Sequence, residues 1–375
     1  MKIAVLGSGM VGRTMAIDLS TKHEVTSFDA SENALSILKA KAPNITTVKA
    51  DLSDYNNYST LLAGFDLAIT AVPGFMGYAT LEAVIKAGMN VVDISFFPED
   101  ALALDKLAKE KNVTAITDCG VAPGVSNLVI GRYNEEMIID SFECYVGGLP
   151  KLRKKPFEYK APFSPIDVIE EYTRPARLKE NGQIVVKPAM TEVELMDFDE
   201  EGTLECFNTD GLRSILFTMP HVPNQKEKTL RYPGHAELII ALQRSGFFAA
   251  EPINYKGKTI NPLEFTSAVL LNEWKLGTTE EELTIMKVIV KGTMNGQPKT
   301  IEYSVLDKYD TATQTSSMSR TTGYTCTAAA NAFAEGLFSG KGVFPPELVG
   351  KHKACFDYIL QYLKERNVNW IKKEY

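Results

Sequence analysis

The chain has 375 residues, a formal net charge of −7 and a hydrophobic share of 45%. This length allows two domains with separate cores, and the acidic balance argues against nucleic acid as the main partner. The basic cluster at residues 151–155 (KLRKK) is more typical of a solvated loop than of a phosphate-binding patch.

Hydropathy and cysteine content exclude further classes. No apolar run approaches the ~20 residues that a membrane-spanning helix needs. The chain enters its first predicted strand at residue 2, and we expect no secretory leader. The five cysteines are scattered, odd in number and without a C-x-x-C pair, which favours reduced thiols over a disulfide framework or a metal site. We therefore expect a cytoplasmic protein with no membrane partner and no bound metal.

The first third of the chain alternates strand-period and helix-period segments. The predicted strands are residues 2–6, 24–28, 46–49, 67–71, 90–94 and 113–117. The predicted helices between them are residues 30–41, 59–63, 78–87 and 98–111. Strands that short turns join through helices form a parallel sheet with helices on both faces. We therefore predict an α/β, doubly wound first domain at residues 1–124.

The first strand runs directly into a glycine-rich turn at residues 7–12 (GSGMVG). Gly7 permits a tight turn, Gly9 lets the backbone approach a pyrophosphate, and Gly12 lets the next helix pack closely on the strand. The free N–H groups of that helix would face the phosphates, where the helix dipole favours negative charge. This context predicts a dinucleotide site in a Rossmann sheet, with FAD as the competing cofactor.

Asp29, at the end of the second strand, indicates which dinucleotide binds. A carboxylate here accepts hydrogen bonds from the adenosine ribose hydroxyls and repels a 2′-phosphate. Residues 30–33 contain no Arg or Lys that would neutralise such a phosphate. We therefore predict NAD rather than NADP as the cofactor.

Residues that follow the parallel strands are the next candidates, because ligands of such sheets bind beyond the carboxyl ends of the strands. The predicted cofactor contacts are Gly7, Ser8, Gly9, Met10, Val11, Gly12, Asp29, Asp51, Ala71, Val72, Pro73, Asp93, Ile94 and Ser95. Asp93 and Asp118 end strands near the nicotinamide end. Each could hold a substrate amine or activate water, or could merely fix a turn.

From about residue 125 the pattern changes to longer strands with intervening helices. The predicted strands are residues 141–146, 184–186, 192–197 and 283–291, and the predicted helices are residues 166–172, 234–245 and 263–271. This pattern is typical of an α+β domain with a mixed sheet, which we place at residues 125–324 and expect to bind substrate. Two further predicted helices, 324–338 and 351–366, belong to a tail that we expect to pack back on the first domain.

Five sequence blocks carry a resemblance to a known family. They are residues 118–124 (DCGVAPG), 145–150 (YVGGLP), 229–235 (TLRYPGH), 320–324 (RTTGY) and 342–347 (GVFPPE). In this order they resemble the saccharopine dehydrogenase-like family, and within it the lysine 6-dehydrogenases. The resemblance implies NAD-dependent oxidative deamination of L-lysine at its ε-carbon by a homodimer or dimer-based homo-oligomer. The products would be ammonia and 2-aminoadipate 6-semialdehyde, which cyclises to piperideine-6-carboxylate.

Two departures from the family pattern bear on the substrate. Saccharopine-forming relatives carry an acid where this chain has Ala122, which puts saccharopine in doubt and suits a smaller substrate. The block at residues 210–214 (DGLRS) is less regular among lysine dehydrogenases, so another amino acid stays open. The alternatives are a reductase of saccharopine or carboxynorspermidine type, which joins an amine and a semialdehyde, and a non-catalytic NAD-binding regulator.

The second domain supplies the candidate substrate ligands. An arginine is the best receptor for the substrate carboxylate, because its planar guanidinium binds bidentately. The predicted substrate-binding residues are Arg231, Arg213, Arg320 and Thr322. Arg231 is favoured because the resemblance implies a substrate ligand at that position. Each arginine could instead be a structural ion-pair partner.

The predicted reaction also needs a base. A lysine ε-ammonium, with a pKa near ~10.4, must lose its proton before hydride can leave the adjacent carbon. His235 could accept that proton near neutral pH, or could be a packing or capping histidine. Together with Asp93 and Asp118 it completes the predicted catalytic set.

Overall fold

The structure, a computed structural model, describes residues 1–162, 165–277 and 279–375. The amino-terminal elements are β1 (Lys2–Leu6), α1 (Met10–Leu19), β2 (Glu24–Asp29), α2 (Glu32–Lys41), β3 (Thr46–Lys49), α3 (Tyr58–Leu61), β4 (Leu67–Thr70), α4 (Gly74–Lys86), β5 (Val91–Asp93), α5 (Asp105–Glu110), β6 (Thr114–Ile116) and α6 (Val125–Tyr133). Strands β1 to β6 pair in parallel in the order β3-β2-β1-β4-β5-β6. The strand order reverses between β1 and β4, where doubly wound sheets bind ligands.

Strand β1 shows why this sheet is covered on both faces. Ile3 and Val5 belong to one hydrophobic cluster, whereas Ala4 and Leu6 belong to another. Successive side chains of a strand point to opposite faces, so the two clusters are the two helical layers. A parallel sheet buried on both faces carries such uninterrupted apolar strands.

The rest of the chain builds a second sheet. Its elements are β7 (Ile138–Pro150), α7 (Pro165–Thr173), β8 (Ala176–Glu180), β9 (Gln183–Lys187), β10 (Glu194–Phe198), β11 (Gly202–Asn208), α8 (Ile215–Thr218), β12 (Asn224–Arg231), α9 (His235–Arg244), β13 (Ile253–Tyr255), β14 (Lys258–Ile260), α10 (Pro262–Trp274), β15 (Glu282–Met294), β16 (Gln297–Lys308), α11 (Ser317–Ala334), β17 (Gly342–Phe344), α12 (Pro346–Gly350), α13 (Lys353–Glu365) and β18 (Ile371–Glu374). Nine strands form one sheet along β10-β11-β12-β7-β15-β16-β18, and β8 and β9 branch from β12.

This second sheet is mixed. Strand β12 runs parallel to β7 and antiparallel to β11, and β15 is antiparallel to both β7 and β16. The predicted fold class is therefore confirmed: an α/β doubly wound parallel sheet is followed by a second domain with a mixed sheet.

The carboxyl-terminal tail contacts both sheets. Strand β17 pairs in parallel with β6 and extends the first sheet to seven strands. Helix α11 packs on α1, where Asp18 accepts hydrogen bonds from Thr327 at 2.5 Å and from Arg366 at 2.7 Å. Strand β18 then joins the second sheet beside β16. The tail thus ties the two sheets together, while the domain limits at residues 124 and 324 stay a prediction.

Candidate functional site

The glycine-rich turn after β1 has the geometry that a dinucleotide requires. Gly7 has a φ of +110°, and a Cβ there would collide with the carbonyl oxygen of Ala71. A Cβ at Gly12 would collide with the carbonyl oxygen of Gly7. At Gly9, by contrast, a Cβ would meet no atom within 4 Å, and the residue lines a cavity. The space over Gly9 is therefore a cradle into which a pyrophosphate fits at the start of α1.

The turn opens into a cavity of about 730 Å³ that residues of both domains line. The predicted cofactor contacts that line it are Gly7, Gly9, Met10, Val11, Gly12, Asp29, Asp51, Ala71, Val72, Pro73, Ile94 and Ser95. We call this part the cofactor half. What we call the substrate half is lined by Val146, Gly147, Gly148, Glu170, Glu171, Arg174, Thr209, Asp210, Gly211, Glu227, Thr229 and Arg231.

Two of the predicted cofactor contacts lie beneath the cavity wall rather than on it. Ser8 is fully buried, with its Oγ 2.6 Å from the Oγ of Ser27. Asp93 is also fully buried, and its Oδ1 accepts a hydrogen bond of 2.5 Å from the Thr70 hydroxyl. Burial raises the pKa of Asp93 to about 7. Both side chains therefore support the wall from behind, and the binding of cofactor by Ser8 and Asp93, like the catalytic role of Asp93, stays a prediction.

Asp29 ends β2 on the cavity surface. Its Oδ2 accepts the Ser8 N–H at 2.6 Å and its Oδ1 accepts the Ser31 N–H at 2.7 Å. These bonds fix the carboxylate and leave lone pairs for ligand hydroxyls. Lys49, the neighbour of Asp29 in β3, is 2.7 Å from a carboxylate oxygen of Glu32 and so is already paired.

Asp118 follows β6 and lines the cavity with a φ of +52°. Arg213 pairs with it at 2.9 Å, and both side chains are nearly inaccessible. The Arg213 guanidinium also donates to the carbonyl of Phe97 and lies 4.8 Å from the ring centre of Phe96. Arg213 is not part of the cavity lining. The prediction that Arg213 binds substrate is therefore corrected: it neutralises Asp118 from behind.

The prediction for Arg320 is corrected in the same way. Its guanidinium makes two bonds of 3.1 Å with Asp307 and one of 3.2 Å with Asp310, away from the cavity. These ion pairs join α11 to β16 and keep the guanidinium bound to the protein's own carboxylates. Thr322, further along α11, does line the cavity. Its methyl group would lie 3.2 Å from a Cβ on Gly120, so it packs closely on the turn after β6.

Arg231 lies on the cavity wall at the end of β12, where it is 2% exposed. Its Nε donates to the Tyr172 hydroxyl at 2.9 Å, its Nη1 to the Leu230 carbonyl at 2.9 Å, and its Nη2 lies 3.2 Å from Glu171. The guanidinium also lies 4.4 Å from the ring centre of Tyr159. The group is rigid, and a bidentate grip on a substrate carboxylate requires it to exchange Glu171 for that carboxylate.

His235 begins α9 behind Arg231, where it is 2% exposed and off the cavity. Its Nδ1 lies 2.9 Å from the Phe157 carbonyl, which can only accept, so its Nε2 accepts from the Tyr172 hydroxyl at 2.9 Å. Burial lowers the pKa of His235 to about 3. This corrects the expectation of a proton acceptor: neutral His235 orients Tyr172, which in turn holds Arg231.

Glu227 was not predicted, although it lies four residues before Arg231 on the same face of β12. Its Oε2 accepts the Thr209 hydroxyl at 2.7 Å and the Gly211 N–H at 3.1 Å. A Cβ at Gly211 would lie 2.5 Å from this carboxyl group, so a glycine is needed beside it. Burial raises the pKa of Glu227 to about 8. The signal available in the sequence was the alternation of Glu227, Thr229 and Arg231.

Within residues 1–162, 165–277 and 279–375, no group of three or more His, Cys, Asp or Glu side chains is arranged to hold a metal ion. The five cysteines all lie in these ranges as buried free thiols. None of the helices described is long and apolar enough to cross a membrane. In the basic cluster, Lys151 pairs with Glu281 and Arg153 with Glu158 at the surface.

Comparison with known proteins bears on both domains. The saccharopine dehydrogenase NADP binding domain matches residues 3–116, and the saccharopine dehydrogenase C-terminal domain matches residues 120–368. Bovine mitochondrial alpha-aminoadipic semialdehyde synthase is 26% identical over 278 residues, which cover 70% of this chain and 30% of that protein. Carboxyaminopropylagmatine dehydrogenase of Synechocystis sp. is 21% identical over 375 residues, and the alignment covers 92% of this chain and 92% of that protein.

A solved structure shares the fold. Apo saccharopine dehydrogenase (L-Glu forming) from Saccharomyces cerevisiae superposes with a TM-score of 0.81 at 19% identity, covering 100% of this chain and 99% of that one. The two matched domains meet at the cavity described above and together account for almost all residues from 3 to 368. The chain therefore belongs to the saccharopine dehydrogenase family.

Proposed function

We propose that the chain is an NAD-dependent amino acid dehydrogenase that oxidises L-lysine at the ε-carbon. The products are ammonia and 2-aminoadipate 6-semialdehyde, which cyclises to piperideine-6-carboxylate. The observation that carries this proposal is one cavity that joins the dinucleotide turn to a guanidinium, Arg231, and a carboxyl group, Glu227. A substrate with a carboxylate at one end and an ammonium group at the other complements that pair.

The choice of NAD rests on residues of this chain. The matched family domain is described as NADP binding. Here, however, the second strand ends in the carboxylate of Asp29, and the neighbouring Lys49 is paired with Glu32. A 2′-phosphate would meet carboxylates and no free cation from these residues. NAD when bound supplies the hydride acceptor, and residues 7–12 and Asp29 would hold it.

A second candidate is the reverse type of reaction, in which an amine and a semialdehyde condense and the resulting imine is reduced. The match to carboxyaminopropylagmatine dehydrogenase along 92% of both chains favours this candidate, because it extends over both domains. The two candidates differ in whether a second, amine-bearing substrate is required.

The test is dinucleotide reduction by the purified protein at mildly alkaline pH. We expect L-lysine to drive NADH formation with release of one equivalent of ammonia, and NADP to be a poorer acceptor. Oxidation of NADH only when a semialdehyde and an amine are both present would favour the second candidate. Bound NAD without turnover in either direction would contradict both.

A further inference from the structure

Most charged side chains of the substrate half are neutralised by a neighbour. The pairs are Glu171 with Arg231, Glu170 with Arg174, Asp210 with Arg177, and the adjoining Asp118 with Arg213. Glu227 differs: across the described ranges, no Lys, Arg or His lies within ion-pair distance of its carboxyl group. An unpaired carboxyl group that is only 5% exposed is unfavourable for folding, and such groups concentrate at functional sites.

The carboxyl group of Glu227 is held through one oxygen and open at the other. Thr209 donates to Oε2 and accepts in turn from the Thr229 hydroxyl, 2.8 Å away, so the Thr209 donor is itself fixed. The Gly211 N–H completes the support of Oε2. Oε1 has no hydrogen-bond partner among the residues described, and Glu227 lines the cavity. A substrate group can therefore reach Oε1 without displacing any contact.

The charged and titratable neighbours of Glu227 come from three packed elements and from its own strand. Burial is the main cause of its raised pKa, and the nearby carboxylates of Glu171 on α7 and Asp210 after β11 add to it. Cys144 of β7 is its partner across the strand pair, and Arg231 follows on β12. In these surroundings the carboxyl group exchanges a proton near neutral to alkaline pH. A cation placed against it would stabilise its ionised form.

We propose that Glu227 is a catalytic residue that binds the substrate amine and removes its proton before hydride leaves. This inference rests on the proposed oxidation of an amine. The ammonium N–H bond breaks and the proton moves to Oε1, so that R–CH₂–NH₃⁺ becomes R–CH₂–NH₂ and the carboxylate becomes a carboxylic acid. Loss of hydride to NAD⁺ gives R–CH=NH₂⁺. Addition of water with departure of NH₄⁺ gives the aldehyde, and Glu227 returns its proton to solvent.

The first test is Glu227→Gln, which keeps an acceptor for Thr209 and Gly211 but cannot take a proton. We expect kcat/KM for lysine oxidation to fall about 10²- to 10⁴-fold, the usual effect of losing a general base. The rise of kcat/KM with pH, centred at about 8 in the wild type, should disappear. The dissociation constant for NAD, measured by fluorescence titration, should not change. Wild-type kcat/KM with an unaltered pH profile would overturn the assignment.

The matched control is Glu347→Gln. Glu347 is a fully buried glutamate without a basic partner in the described ranges, and it accepts hydrogen bonds from Asn127 and Thr218, none of which lines the cavity. This variant should leave kcat/KM and its pH profile unchanged. In addition, Glu227→Ala should regain activity as formate is added, because a small carboxylate can enter the space and accept the proton. Absence of rescue in a folded, NAD-binding Glu227→Ala protein would also count against the proposal.

A substrate-free measurement separates this inference from the choice of lysine. The carboxyl ¹³C signal that Glu227→Gln removes should titrate at a pKa of about 8 in the wild type. A pKa near the ordinary ~4.3 would overturn the role of Glu227 even if lysine is oxidised. If lysine is inert but another amine is oxidised and depends on Glu227 as described, the role of Glu227 stands and the choice of lysine falls.

Discussion

The charged side chains of the cavity wall and of the elements behind it differ in whether another side chain neutralises them. Arg213 and Arg320 are each 6% exposed, and the carboxylates of Asp118 and Asp307 bind them. A buried arginine held in this way is rigid but has few donors left for a ligand. Glu227 is buried and has no such partner in the described ranges. A bound ammonium group would supply the positive charge that neutralises its carboxylate.

At the same scale, Asp29→Ala tests the cofactor assignment. The variant loses the acceptor for ribose hydroxyls and the charge that repels a 2′-phosphate. We expect NAD affinity to fall about tenfold, since a hydrogen bond to a charged group contributes roughly 1.5 kcal/mol. We also expect the preference for NAD over NADP to narrow, as measured by titration with both dinucleotides. Asp54→Ala, which removes an exposed aspartate off the cavity, is the control. An unchanged ratio of the two affinities would contradict the ribose site described above.

At the level of single elements, some strands could be predicted from their own sequence, whereas the burial of strand β12 could not. The apolar strands β1 and β4 were predicted closely, because burial on both faces leaves a continuous hydrophobic run. Strand β12 (NQKEKTLR) has one aliphatic residue and looks solvated, yet Lys228 is 1% exposed and Arg231 is 2% exposed. Pairing with β7 and β11 and the ion pairs above bury it. Those partners are distant in sequence, so the burial of β12 could not be predicted locally, and the alternation of Glu227, Thr229 and Arg231 was the one local signal for this face.

His235, in the first turn of helix α9, makes the stability of the folded chain depend on pH. Its pKa is lowered to about 3 in the folded chain, so the unfolded chain binds a proton below pH ~6.5 that the folded chain does not. The contribution of His235 to stability is therefore present above pH ~6.5 and is lost as pH falls towards about 3. Between pH 7 and 5, the wild type should lose about 2 kcal/mol that His235→Asn does not lose, measured by urea unfolding.

The control for this comparison is His221→Asn. His221 is exposed and lies beside Asn134, whereas His235 is buried. This variant should follow the wild type as pH falls. Equal losses in the wild type and in His235→Asn would show that burial of the His235 ring is not linked to protonation.

At the level of the whole molecule, residues of both domains line the cavity, and the chain's own tail adds a strand to each of the two sheets. The alternating pattern predicted the first sheet, and the longer strands predicted a mixed second sheet. The tail was expected to return to the first domain, and α11 does pack on α1. That β17 extends one sheet and β18 the other was not predicted, because three- and four-residue strands carry too little periodicity. The homo-oligomer expected from the family resemblance stays a prediction.

The most direct test of the proposed function follows hydrogen from the substrate into the cofactor. The purified protein would be incubated with NAD and L-lysine deuterated either at both ε-hydrogens or at the α-carbon, and the reduced cofactor analysed by mass spectrometry. We expect deuterium in NADH only from the ε-labelled lysine, with a slower rate when hydride transfer limits turnover. Deuterium transferred from the α-carbon, or unlabelled NADH from both substrates, would contradict oxidation at the ε-carbon.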